Sequence, residues 1–190
     1  GFARDISRDE LEQWLAGQDQ EAFLQAMNRI EVAPGDIVFV PPGVVHAVGE
    51  GILFLEVQEP SDFSIFLEWQ RFVPDERTAT LGLDVAVALD AVRRERSTPA
   101  ELARWHARPA AGQLARLPSE AEEYFRLDWA GAGEASAAGF RVLAITEGAG
   151  ELAWASGREL TGRGDCWAVP AVAGAARLRG DGIQGIWASA

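Results

Sequence analysis

Gly35-Asp36-Ile37-Val38-Phe39-Val40-Pro41-Pro42-Gly43-Val44-Val45-His46 decides the fold, because its first half occurs twice. Laid over Gly164-Asp165-Cys166-Trp167-Ala168-Val169-Pro170, it matches in Gly, Asp, Val and Pro at one constant offset. Each copy reads as a Gly-Asp turn, a four-residue apolar strand and a proline that ends it. Strand–turn units recurring about 130 residues apart imply two related β domains.

Working outward, residues 6–30 are expected to be helical. Ser7-Arg8-Asp9-Glu10 is a capping box, followed by Leu11, Trp14 and Leu15 on one face. A second apolar set follows Gly17 at Phe23, Leu24, Met27 and Ile30. From Val32 the period changes, and Ile37–Val40, Val44–Val48 and Ile52–Gln58 read as short strands, with Phe63–Trp69 a further candidate. Residues 84–96 read as a helix whose Arg93, Arg94 and Arg96 complement its dipole. Residues 97–120 form a Pro-, Ala- and Arg-rich connector. Beyond it, strands are expected at 124–129, 140–146, 151–155, 166–169, 175–178 and 183–188. Strands this short and regularly punctuated suggest a sandwich or barrel. The expected organisation is therefore 1–96, a connector over 97–120, and a second domain over 121–190.

The chain of 190 residues is long enough to bury a core. All 17 basic residues are Arg, and 29 acidic ones leave a net charge of −12, which disfavours nucleic acid and anionic membranes as partners. A phosphorylated small molecule remains compatible, since a few converging Arg side chains reverse the sign locally. No stretch reaches the roughly 20 apolar residues that cross a bilayer. Cys166 is the sole cysteine, which excludes an intrachain disulfide and points to the cytoplasm; it is expected to be a buried, inert thiol.

The strand pattern also nominates a site. If Gly49-Glu50-Gly51 is a three-residue hairpin loop, His46 faces Phe54 and Val44 faces Glu56. Partners across a ladder share a face and side chains alternate along a strand, so Glu56 and Gln58 fall on the face of His46. Polar groups on an apolar face need partners, and a metal, a polyhydroxylated substrate or water at an open barrel mouth would supply them. The second copy has Ala175 where His46 stands, so that domain is expected to be metal-free. His106 fits neither motif and is expected at the surface.

The spacing Gly35-x5-Pro41-x-Gly43-x2-His46 resembles the second motif of the cupin superfamily, with Glu50 replacing its closing Asn. Together with Leu55-Glu56-Val57-Gln58-Glu59-Pro60-Ser61-Asp62, Glu68-Trp69 and Gly164–Ala171, it resembles the type I phosphomannose isomerases. The resemblance implies a mainly β fold of cupin (jelly-roll) repeats with a few helices. It also implies interconversion of mannose 6-phosphate and fructose 6-phosphate, with zinc or another divalent metal stabilising an enediolate. On it, His46 matches the last histidine ligand, and Arg71 is the candidate catalytic arginine and contact for the anionic sugar phosphate.

Two departures qualify that resemblance. The family's other ligands, a His and a Glu, have no counterpart in residues 1–34, and one imidazole does not hold catalytic zinc. The chain starts at Gly1-Phe2, and the expectation is a C-terminal portion of a longer enzyme, with the remaining ligands upstream. Where many members have Thr-Tyr-Arg, this chain has Phe63-Ser64-Ile65-Phe66. A cupin that binds a sugar or sugar phosphate without turnover is the alternative.

Overall fold

Residues 1–58, 63–109 and 115–189 are described by a computed structural model. They are mainly β, with nine strands in antiparallel sheets and five α-helices, and they divide into two units, Gly1–Ala107 and Arg108–Ala190. Among them no helix is long and apolar enough to cross a membrane.

In the first unit, α1 (Arg8–Gly17) begins at the expected capping box: the Ser7 hydroxyl accepts from Glu10 N, and the Glu10 carboxylate accepts from Ser7 N. Helix α2 (Gln20–Ala26) is capped by Asp19. The two helices bury Leu11, Leu15, Phe23 and Ala26 against Phe2, Ile6 and Leu89, with Trp14 packed edge-on against Phe2 and Phe23. The spacing in the sequence produces this face directly.

The rest of the first unit departs from expectation. Of the strand expected at Ile37–Val40, only β1 (Ile37–Val38) is regular, and residues 44–58 and 63–69 contain no strand. Alternation alone does not make a ladder; a strand needs a partner. A short α3 (Glu76–Ala79) precedes α4 (Val85–Asp90), which stops well before Arg96 because Arg93 N donates to Gly43 O. Within the expected connector, α5 (Pro99–Trp105) forms. Thr98 caps it, Pro99 opens its first turn, and Glu101 completes a capping box. The Thr98 backbone N–H, then Arg93 and the Thr98 hydroxyl, hold the Glu101 carboxyl down to about 2. Trp105 then feeds β2 (His106–Ala107), which pairs antiparallel with β1.

The second unit follows the sequence closely. A 3-10 turn at Ser119–Ala121 leads into β3 (Arg126–Gly131), β4 (Arg141–Glu147), β5 (Ala149–Trp154), β6 (Gly157–Gly162), β7 (Cys166–Val169), β8 (Arg177–Arg179) and β9 (Gln184–Ser189). One sheet has the order β3-β9-β4-β7 and the other β6-β5-β8. Leu143, Ile145, Val169 and Trp187 of the first sheet meet Leu152 and Leu178 of the second in one sandwich core. Strand β6 was not expected: Arg158, Glu159 and Leu160 are all exposed, so it carries no alternation. Cys166 is exposed, against the expectation of a buried thiol, because it opens β7 at the edge of its sheet.

The repeat holds at the level of single hydrogen bonds. Gly35 and Gly164 have φ of 90° and 95°, a conformation glycine adopts without strain. Asp36 N donates to Ala33 O and Asp165 N to Gly162 O, each at 3.0 Å. The aspartate oxygens close the turns by accepting from Ala33 N at 3.1 Å and Gly162 N at 2.8 Å.

Candidate functional site

His46 follows a corner built by Pro41-Pro42-Gly43. Val44 N donates to Pro41 O at 3.1 Å, and Gly43, at φ 77°, lies so close to the end of α4 that a Cβ there would stand 2.6 Å from Ala91 O. Val44 is buried and Val45 packs on the helical core, so the segment before the imidazole is anchored. The His46 ring is exposed, and its Nδ1 lies 3.1 Å from Val44 O. A carbonyl only accepts, so in this hydrogen bond Nδ1 carries the proton, which in a neutral ring leaves the lone pair on Nε2. That is the tautomer of a histidine that ligates through Nε2.

Glu56 and Gln58 are exposed, and the hairpin ladder that was to bring them onto the face of His46 is not formed. Arg71 is exposed as well. It sits in a turn where Phe72 N and Val73 N both donate to Trp69 O. That turn is tied down by a residue the sequence reading did not single out, Gln18. Its amide nitrogen donates to Leu15 O at 2.8 Å and Leu67 O at 3.1 Å. Its amide oxygen accepts from Trp69 N at 2.8 Å and Gln70 N at 3.2 Å. Gln18 stands at φ 48° on the end of α1, and three of the four hydrogen bonds of its amide reach the segment before Arg71, the fourth returning to Leu15 of the helix. The only sequence signal was a non-glycine residue where the helix stops after Gly17. The Ser61-Asp62 part of the motif lies outside the described residues.

The donor set does not fit a metal on its own. Among the described residues no three His, Cys, Asp or Glu side chains converge on one point. Catalytic zinc takes three protein ligands, so these residues provide one imidazole and no closed site. His106 is not a surface residue: its Nε2 lies 2.8 Å from Asp36 Oδ2, and the two side chains are only 13% and 4% exposed. It thus locks β2 onto the Gly-Asp turn. The same turn in the second unit has the Thr161 hydroxyl on Asp165 at 3.2 Å, with Trp167 Nε1 donating to Thr161 at 2.7 Å. Ala175, at the position equivalent to His46, is exposed and carries no donor atom in its side chain.

Charge is uneven between the units. Residues 1–107 hold 9 Arg and 19 acidic residues, a balance of −10, and residues 108–190 hold 8 Arg and 10 acidic ones, a balance of −2. An anionic ligand approaching His46 therefore meets a repulsive field unless an Arg side chain offsets it locally.

Proteins of known name resemble part of this chain. The mannose-6-phosphate isomerase of Streptococcus mutans is 43% identical over 56 residues, 30% of this chain and 17% of that protein. ManA of Bacillus subtilis, also a mannose-6-phosphate isomerase, is 53% identical over 38 residues, 20% of this chain and 12% of that protein. A probable mannose-6-phosphate isomerase of the same organism, GmuF, is 38% identical over 56 residues. The likeness is to mannose-6-phosphate isomerases. The aligned stretch spans less than a fifth of the length of the first two relatives. No family model and no solved structure matches.

Proposed function

We propose that this chain is part of a cytoplasmic, cupin-type isomerase that interconverts mannose 6-phosphate and fructose 6-phosphate. The observation that carries the proposal is the local identity to proteins named for that reaction, over a chain that also has an exposed histidine with Nε2 as its open nitrogen. In this reading His46 contributes one ligand to zinc or another divalent ion, and the remaining ligands come from outside residues 1–190. Arg71 supplies positive charge for the phosphate, held in place by the Gln18 clamp. Glu56 and Gln58 serve as hydroxyl contacts for the sugar only if a folded ladder brings them to His46.

The reading is tested by titrating the chain with Zn²⁺ while following its imidazole resonances, and by assaying isomerase activity in the longest polypeptide that contains it. Expected are a response at His46 Nε2, its loss in His46→Ala, and turnover of mannose 6-phosphate by the longer polypeptide. A silent His46 together with no turnover would overturn it. A second reading, a sugar-phosphate binding protein without turnover, is favoured by the absence of a closed ligand set among the described residues. Binding of mannose 6-phosphate by the longer polypeptide without its conversion would select that one.

A further inference from the structure

We propose that the outer face of the β6-β5-β8 sheet binds a phosphoryl group among Arg158, Arg177 and Arg179. The pairing register brings these residues together. Leu152 and Leu178 point into the sandwich core, so Glu151, Ala153, Arg177 and Arg179, which flank them along β5 and β8, lie on the opposite face. Arg177 and Arg158 stand directly across from Ala153 on its two sides, and Arg179 and Leu160 stand across from Glu151. Residues opposite one another on a ladder share a face. Glu159 is paired with Leu152 and belongs to the other face. The outer face therefore carries three guanidinium groups and one carboxylate, a local balance of +2 on a chain whose net charge is −12.

These arginines are not consumed by the fold. Arg177 and Arg179 are exposed, and among the described residues neither guanidinium has a hydrogen bond or an ion pair. Arg158 approaches Glu151 only to 3.6 Å, and its side chain is 69% exposed. Like charges gathered on one face oppose each other until an anion is shared between them. The spacing suits such an anion. Neighbouring strands lie about 4.8 Å apart, so the Arg158 and Arg177 backbones stand about 10 Å apart across β5, and the residue between them is a small alanine. Ala153 is only 6% exposed although it faces outward, which agrees with arginine stems leaning over it from both sides. The guanidinium fork matches the oxygens of a phosphoryl group, and a phosphate dianion neutralises the local +2. Leu160, on the same face, is 79% exposed and offers an apolar contact to the organic part of a phosphate ester. All of these residues belong to the second unit, and none takes part in the isomerase reading.

The test follows the arginine Nε–H resonances of the isotope-labelled chain in low-salt buffer while inorganic phosphate and, separately, glycerol 3-phosphate are added. Expected are saturable shifts at Arg158, Arg177 and Arg179, with half-saturation on the order of 1 mM. Arg158→Gln and Arg177→Gln should each weaken binding about tenfold or more, the usual effect of losing a charge-assisted hydrogen bond. Glu151→Gln removes the competing carboxylate and should tighten binding severalfold. Arg126→Gln, in the other sheet, should leave it unchanged. Tighter binding of glycerol 3-phosphate would identify a phosphate ester as the occupant, and equal binding of the two probes would identify the free anion. Shifts that never saturate and spread evenly over all arginines would overturn the proposal, as would unchanged affinity in Arg177→Gln.

Discussion

The two Gly-Asp turns share their backbone geometry and differ in what covers the strands that follow them. After Asp165, β7 pairs along its four residues with β4, and Val169 reaches the sandwich core. After Asp36, regular pairing stops at Val38, and Val40, the equivalent of Val169, is left 37% exposed. The same Gly-Asp turn motif thus leads into a four-residue strand in one unit and a two-residue ladder in the other. Turn chemistry is local and is satisfied within four residues, whereas a strand is stabilised by what lies beside it. The imidazole that carries the functional proposal sits in the less finished half.

The largest effect that would sharpen this contrast is Leu143→Ala, which empties a fully buried site in the second unit and should cost about 3 to 5 kcal/mol. Val40→Ala in the first unit should cost under about 0.5 kcal/mol, in keeping with its exposure. Denaturant unfolding measures both, and comparable losses would break the comparison. Next come Gly35→Ala and Gly164→Ala, each expected to cost about 1 to 2 kcal/mol because both positions hold a left-handed φ. Unequal costs would show that the two turns are equivalent in shape only.

A third effect depends on pH. The Glu101 carboxyl is held below its ordinary value, at about 2, so the folded chain releases that proton more readily than the unfolded one. Its stabilisation of α5 is present above the ordinary carboxylate range and fades as pH falls from 4.5 toward 2. Glu101→Gln should flatten the acid limb of a stability-against-pH curve, and an unchanged limb would remove the cap from the account. The smallest effect on stability is expected from His46→Ala, under about 0.5 kcal/mol at an exposed ring. It should nevertheless erase any Zn²⁺ response of the imidazole spectrum.

Much of this was legible in residues. The capping box at Ser7, the packed face of α1 and most strands of the second unit follow from pattern, because each buries its apolar face against a neighbouring element. Thr98-Pro99-Ala100-Glu101 was an equally clear helix start, hidden by the Pro and Arg content around it. Strand β6 left no signature, since an exposed strand needs no apolar alternation. Of the site, the corner at Gly43 was readable, whereas the strand expected at Val44–Val48 to carry His46 and the face it was to share with Glu56 and Gln58 were not realised. That face depended on a ladder, and ladder formation is a property of the partner strand as much as of residues 44–58. The pairing of His106 with Asp36 joins residues 70 apart and had no local sign.

The Gln18 amide has its donors against two carbonyls and its acceptor against two N–H groups, which makes the position intolerant of slow chemical ageing. Hydrolysis to glutamate would change the side chain by a single atom. It would also set a negative oxygen against the Leu15 and Leu67 carbonyls, and the loop carrying Arg71 would be released without any peptide bond being cut.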